Sequence, residues 1–212
     1  MFSVIFDMDG TLLDTQQICI PAWEAAGVAQ GICGIGDHIP YVCGMNEAGW
    51  TAYLLDHFPT LDEKAFKEVM HQYIIDNLVV RYKAGAEKLL AFLKENNIKI
   101  AIASGSSRAT ILHHLGEVDG VDLFDAIAGG AEVQNGKPAP DIFLHTAKKM
   151  GVDPADCFVF EDSANGVRAG VAAGMRVFGI PDVAPLGNEV ERLLFAKLDT
   201  LDAAIPHLQP LL

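Results

Sequence analysis

The chain opens with MFSVIFDMDGTLLDT, residues 1–15, in which a short apolar run ends in two aspartates separated by one residue. The run SVIF, residues 3–6, has the length and character of a strand buried on both faces of a sheet. Asp7 and Asp9 follow it directly, so two like charges lie at the mouth of a core. We expect a metal ion or water to offset their repulsion.

Further apolar runs of this kind follow along the chain, separated by helical patterns. The later strands are predicted at residues 98–103, 125–129, 157–160 and 176–180. Helices are predicted between and beside them, at residues 85–97, 107–118, 139–151 and 164–175. This alternation is typical of βαβ units. It predicts an α/β fold, a three-layer Rossmann-like core with a parallel sheet.

The stretch from residue 15 to residue 82 breaks the alternation, because it has helical patterns and no clear strand. Helices are predicted at residues 47–58 and 63–78. We therefore expect a small all-helical cap, residues 15–82, inserted after the first strand into a catalytic core of residues 1–14 and 83–212. The candidate hinges lie near Asp14–Thr15 and near Arg81–Lys83.

Composition narrows the classes of partner and location. The formal net charge of -13 over 212 residues argues against binding to nucleic acid or to an anionic membrane surface. The four cysteines form no CxxC pair, and the first apolar run is too short for a signal peptide. A reduced, cytoplasmic protein that is a monomer or weak dimer is expected.

Polar clusters follow the predicted strands, where open α/β sheets bind their ligands. They are DMDGT at 7–11, SGS at 104–106, NGKPAP at 135–140 and EDSANG at 161–166. Together they offer four carboxylates, a hydroxyl, an ammonium and several amides next to glycine. Asp7 and Asp162 could hold a hard cation such as Mg²⁺, and Lys137 and Ser104 could bind a phosphate dianion. The inventory suits phosphoryl transfer to or from a small phosphorylated metabolite.

The DxDGT run, with the later serine, lysine and acidic pair in the same order and spacing, closely resembles the haloacid dehalogenase superfamily. The likeness covers essentially the whole chain, and FEDSANG and GKPAPD are similar to the branch of β-phosphoglucomutase and sugar-phosphate phosphatases. The chain likewise resembles phosphoglycolate phosphatase-like enzymes. The resemblance implies that Asp7 is the nucleophile and that Asp9 is a general acid and then a general base. The related dehalogenases lack an aspartate at the position of Asp9, so the presence of Asp9 favours phosphate chemistry over carbon–halogen cleavage.

The resemblance also implies a metal site and a phosphate site. The Mg²⁺ ligands would be the Asp7 carboxylate, the main-chain carbonyl of Asp9 and Asp162, with Glu161 ligating either directly or through water. The alternative for Glu161 and Asp162 is a charged helix N-terminus, capped by Ser163 or Asn165.

Three residues would bind the phosphoryl group. Ser104 would donate its hydroxyl and Gly105 its N–H, while Lys137 would pair with both phosphate and Asp7. Ser104 or Ser106 could instead cap the helix that starts near residue 107, and Lys137 could be an ordinary loop lysine.

In the cap, the β-phosphoglucomutase relatives carry a histidine and an arginine that binds a second phosphate. By position, this chain has Cys19 and Glu47 there. Both departures weaken the mutase hypothesis. Asn46 and Glu47, with Met45 and Trp50, are candidates for a substrate-facing loop.

We therefore predict a Mg²⁺-dependent phosphatase that hydrolyses a small phosphomonoester, such as a sugar phosphate, through an aspartyl-phosphate. A β-phosphoglucomutase-like phosphotransferase and a non-catalytic binder of phosphorylated ligands are the alternatives.

Overall fold

The computed structural model of the protein describes residues 2–43, 45 and 47–212. Six parallel strands form one sheet, in the order β3-β2-β1-β4-β5-β6. The strands are β1 Ser3–Phe6, β2 Ile100–Ala103, β3 Ala126–Ala128, β4 Cys157–Glu161, β5 Arg176–Gly179 and β6 Ala196–Lys197. All strands run the same way, so the loops that follow them lie along one edge of the sheet.

Strand β1 lies at the centre, where Val4 pairs with Ile100 of β2 on one side and with Phe158 of β4 on the other. Its side chains alternate between two hydrophobic clusters, because successive residues of a strand point to opposite faces. Val4 and Phe6 belong to one cluster, and Ile5 belongs to the other. The two-sided burial explains why Val4, Ile5 and Phe6 are all apolar, and Ser3, the first residue of the strand, is buried with them.

Helices cover both faces and complete the three layers that the sequence predicts. Leu89 and Ile111 pack in the cluster with Phe6, whereas Phe143 and Val167 pack with Ile5, and each of these four residues lies on a helix. The helices of this part are α5 Ala86–Glu95, α6 Arg108–Glu117, α7 Asp141–Met150, α8 Ala164–Ala172, α9 Asn188–Glu191 and α10 Ile205–Leu208. Short 3₁₀ turns occur at Ile35–His38, Val121–Leu123, Gly130–Glu132, Pro154–Asp156, Leu201–Ala204 and Gln209–Leu211.

The segment between β1 and β2 is helical, as predicted. Its helices are α1 Cys19–Val28, α2 Ile39–Val42, α3 Glu47–His57 and α4 Glu63–Asn77. They pack around a cluster of their own, in which the Trp23 ring meets the edge of Phe66 at a centroid distance of 5.7 Å. A separate cluster is what a small cap needs for its stability. The division at residues 14/15 and 82/83 stays a prediction.

Two backbone connections join this helical segment to the sheet, and they pair with each other. The Asp14 N–H donates to the Arg81 carbonyl at 2.9 Å, and the Lys83 N–H donates to the Leu12 carbonyl at 2.9 Å. Of the helices that the structure describes, none combines the length and the apolar character that crossing a membrane requires.

Glu132 anchors the loop that follows β3. Its Oε1 accepts the Gly129 N–H and its Oε2 accepts the Lys149 ammonium, each at 2.8 Å. These bonds lower the pKa of Glu132 to about 2, and the bond from Lys149 has the largest effect. The ionised carboxylate therefore ties α7 to the loop that precedes Lys137.

We expect Glu132→Gln to destabilise the protein by roughly 1 kcal/mol at neutral pH, because it removes a charged acceptor that is partly open to solvent. A carboxyl whose pKa falls on folding stabilises the folded state above its unfolded pKa and loses that effect as the pH falls. The window runs from its ordinary value of 4.5 down to about 2. Urea unfolding of both proteins across this window should show the difference shrinking; a difference independent of pH contradicts the assignment.

Candidate active site

Asp7 and Asp162 come together because β1 and β4 are neighbours. The Asp7 N–H donates to the Phe160 carbonyl at 3.0 Å, which continues the ladder one residue beyond the strand. Gly10 then turns the chain in the left-handed region, at φ +81°. A Cβ at Gly10 would lie 2.6 Å from Asp162 Oδ2, so the turn needs glycine for space as well as for conformation.

Lys137 links two carboxylates at this edge. Its ammonium donates to Asp7 Oδ1 and to Glu161 Oε1, each at 2.5 Å. All three side chains are buried, so these are desolvated charge pairs. Burial alone would lower the pKa of Lys137, but the Asp7 and Glu161 carboxylates hold it above its ordinary value. Lys137 is therefore a fixed positive charge beside Asp7, not an ordinary loop lysine.

Both oxygens of Glu161 are already in use. Oε2 accepts the backbone N–H of Ser163 at 2.9 Å and its hydroxyl at 3.0 Å, while Oε1 accepts Lys137. Gly166 packs so closely that a Cβ there would overlap the Glu161 carboxylate. Glu161 therefore anchors Lys137, a contact that the sequence did not predict, and its role as a metal ligand, directly or through water, stays a prediction.

Asp162 is buried beside this network, and its Oδ1 accepts the Thr11 hydroxyl at 3.1 Å. Burial raises the pKa of Asp162, and the charges of Glu161 and Asp7 raise it further. Burial likewise raises the pKa of Asp7 to about 7, with Lys137 opposing the shift. Ser163 caps the N-terminus of α8 by accepting the Gly166 N–H, so this helix end carries both a capping serine and the acidic pair Glu161 and Asp162.

The charges fit a divalent cation. Asp7, Glu161 and Asp162 are three buried carboxylates beside one ammonium, Lys137, so two negative charges are uncompensated when all three carboxylates are ionised. Within residues 2–43, 45 and 47–212, no three Asp, Glu, His or Cys side chains form a ready metal cluster. The set implied by the resemblance has two carboxylates and a main-chain carbonyl, and Mg²⁺ commonly binds through one or two carboxylates plus waters.

Asp9 lies in a pocket of donors. Its Oδ1 accepts the Thr15 hydroxyl at 2.6 Å, and its Oδ2 accepts the Ser106 hydroxyl at 2.8 Å and the Ser104 hydroxyl at 3.4 Å. His114 Nδ1, buried without a hydrogen bond in the described structure, lies 3.9 Å from Oδ1. The carboxylate thus accepts hydrogen bonds from residues of two loops, the one that follows β1 and the one that follows β2.

Ser104 and Gly105 follow β2 at the same edge. The Ser104 N–H donates to the Ala128 carbonyl at 3.1 Å, and Ser104 itself is buried. Ser107 is the residue that caps α6, since its hydroxyl accepts the Thr110 N–H. A Cβ at Gly105 would meet no atom within 4 Å, so the space on that side of its Cα is open. Neither Ser104 nor Gly105 therefore caps α6.

The cap residues singled out from the sequence differ in how exposed they are. Asn46 lies outside the described residues. Glu47 is exposed and pairs with Lys67 of α4 at 2.8 Å, and Met45 is also exposed. Cys19 and Cys43 are half-buried free thiols instead, and burial raises the pKa of each to about 12, with Asp9 and Asp162 respectively adding to the shift. The two thiols lie close enough to Asp9 and Asp162 for those charges to add to the effect of burial.

Sequence reasoning missed four contacts on Asp9. Thr15, Ser106 and His114 face its carboxylate, and Gln16 donates its amide to the Asp9 carbonyl at 2.8 Å. Three of them flank recognised motifs, which is the one signal that could have indicated them. His114 lies within α6, where its spacing predicts nothing about the site.

Comparisons with known proteins show which family and which solved structures the chain is similar to. A family model described as haloacid dehalogenase-like hydrolase matches residues 3–174. The chain is 31% identical over 184 residues to phosphorylated carbohydrates phosphatase of Thermotoga maritima, covering 85% of each. It is 34% identical over 204 residues to β-phosphoglucomutase of Bacillus subtilis, covering 88% of this chain and 86% of that protein. The crystal structure of β-phosphoglucomutase from Clostridium difficile superposes with a TM-score of 0.82 at 26% identity, over 99% of this chain and 96% of that one.

Proposed function

The chain belongs to the haloacid dehalogenase-like hydrolase family, and from that premise we propose that it is a Mg²⁺-dependent phosphatase of a small phosphomonoester. The observation that carries the proposal is Lys137, buried and shared between Asp7 and Glu161. A sugar phosphate is the proposed class of substrate, in keeping with the phosphorylated carbohydrates phosphatase among the relatives. Residues 1–14 and 83–212 would form the catalytic core, residues 15–82 the cap, and the location would be cytoplasmic.

In the first step an Asp7 carboxylate oxygen attacks phosphorus, and the bond from phosphorus to the leaving oxygen breaks. Lys137 orients Asp7 and lies where it can also neutralise phosphoryl charge. Asp9 donates its proton to the leaving oxygen, so that an alcohol departs rather than an alkoxide. Ser104 and the Gly105 N–H would hydrogen-bond the phosphoryl oxygens.

In the second step water attacks the phosphorus of the aspartyl-phosphate. Asp9, now ionised, takes the proton from that water, and the bond between phosphorus and the Asp7 oxygen breaks to restore the carboxylate. Thr15, Ser104 and Ser106 hydrogen-bond the Asp9 carboxylate and hold it in place for both proton transfers. Each proton that Asp9 gives in the first step is thus regained in the second.

Asp7, Asp162 and the Asp9 carbonyl would hold Mg²⁺, which supplies charge neutralisation for the approach of a phosphate dianion to a carboxylate. Glu161 contributes by holding Lys137. Glu47 and Asn46, the substrate-facing residues expected from the sequence, stay predictions, and the pairing of Glu47 with Lys67 supports a structural role for Glu47 as well.

A β-phosphoglucomutase-like phosphotransferase is the second candidate, favoured by the Bacillus subtilis relative. A mutase must hold a second phosphate while the first is transferred. Cys19 and Glu47 stand at the positions expected for the histidine and the arginine. A thiol whose pKa is about 12 is neutral, and a carboxylate repels phosphate, so hydrolysis is preferred.

A screen of phosphorylated metabolites with Mg²⁺ tests the proposal by measuring release of inorganic phosphate. We expect turnover of at least one sugar or polyol monophosphate, and loss of that turnover when the metal is chelated. Interconversion of hexose 1- and 6-phosphates faster than phosphate release selects the mutase. Absence of turnover on each monoester, with or without metal, selects a non-catalytic binder.

A further inference from the structure

Residues 14–17, which connect the DMDGT loop to α1, carry two contacts on Asp9. The Thr15 hydroxyl donates to its carboxylate at 2.6 Å, and the Gln16 amide donates to its main-chain carbonyl at 2.8 Å. Both contacts come from adjacent residues of one short connection. The geometry of Asp9 therefore depends on where that connection is held.

Asp182, in the loop after β5, holds the connection at its far end. Its Oδ1 accepts the Gln17 amide at 2.9 Å and the Lys83 ammonium at 2.7 Å. Lys83 begins the core after the second connection and also lies 3.8 Å from Asp14. One carboxylate oxygen thus joins both connections to the sheet.

The Asp182–Lys83 pair is a buried one. The Asp182 side chain is 4% exposed and that of Lys83 is 19% exposed, so solvent screens the attraction little. Asp182 Oδ2 is buried and has no hydrogen-bond partner within the described part of the chain. A desolvated carboxylate with one satisfied oxygen is held firmly through that oxygen, because releasing it would leave the charge unpaired. Next to it, Val183 packs against the cluster of the helical segment.

We propose that Asp182 is a positioning residue for Asp9. By holding Gln17 and Lys83, it fixes the connection of residues 14–17. That connection presents Thr15 and Gln16 to Asp9. This inference rests on the proposed function, since it assumes that Asp9 protonates the leaving oxygen.

The test compares two phosphate esters, because an alkyl leaving group needs a proton and nitrophenolate does not. In Asp182→Ala, kcat/KM for the alkyl monophosphate preferred by the wild type should fall about tenfold, while that for p-nitrophenyl phosphate falls less than about twofold. The ratio kcat/KM reports the step in which the leaving group departs. A residue that merely supports the fold would reduce both values alike.

Gln17→Met removes one donor from Asp182 without leaving Lys83 unpaired, and it should give the same selective loss at about threefold. Asp14→Asn is the matched control: it takes an exposed carboxylate from the same lysine and should leave both values within about twofold of the wild type. Equal losses on the two esters, or a selective loss in Asp14→Asn, overturn the role of Asp182 alone. A wild type that hydrolyses neither ester overturns the proposed function, and this inference with it.

Discussion

Asp7→Asn is expected to reduce phosphate release by at least about 10³-fold, because the amide cannot form the covalent intermediate. The fold should survive the change. Asp7 is one of three buried carboxylates beside one ammonium, so removing its charge relieves repulsion while Lys137 keeps Glu161. Steady-state turnover and thermal unfolding, measured on the same preparation, separate these two effects.

Asp156→Asn serves as the control, since Asp156 is exposed and lies just before β4, at the opposite edge of the sheet. It should match the wild type in both measurements. After an acid quench during turnover, peptide mass spectrometry should find a phosphoryl group on the Asp7 peptide in the wild type and not in Asp7→Asn. Turnover retained by Asp7→Asn would exclude Asp7 as the nucleophile.

The sheet was predictable because its strands are buried on both faces. SVIF and CFVF are apolar except for Ser3, and they form the neighbouring strands β1 and β4. Strand β6 was missed, since it has two residues and is partly exposed. Helix α1 was missed because Pro21 and Gly27 weaken its propensity, and because Ala22 and Ala26 give little hydrophobic contrast.

The carboxylates and Lys137 were predictable as a set, because each follows a strand and parallel strands bring those positions to one edge. The contacts that give each of these residues its own role were not predictable. Whether Glu161 binds a metal or Lys137 depends on Ser163 and Gly166, whose contacts only the fold defines. The contacts of Thr15 and Gln16 on Asp9 depend on how their connection passes the carboxyl ends of the strands, and that of His114 depends on how α6 packs; no periodicity encodes either.

Lys137→Met is expected to lower both activity and stability, and for different reasons. Turnover should fall at least about 10²-fold, because the charge that orients Asp7 and opposes the phosphoryl charge is lost. The free energy of unfolding should fall by about 3 kcal/mol, because Asp7 and Glu161 would be buried without their partner. Lys64→Met, at an exposed lysine paired with Glu68, should change stability by less than about 0.5 kcal/mol.

A second variant separates the two losses. In Lys137→Met/Glu161→Gln the lysine and its anchoring charge are removed together, and replacing both members of a buried pair costs less than removing one. Urea unfolding should show that this double variant regains much of the stability lost in Lys137→Met, while phosphate release stays low because Asp7 still lacks its cation. If turnover returned with stability, Lys137 would act only by supporting the fold. If stability did not return, the Glu161 carboxylate would stabilise the fold through its bonds to Ser163 as well as through Lys137.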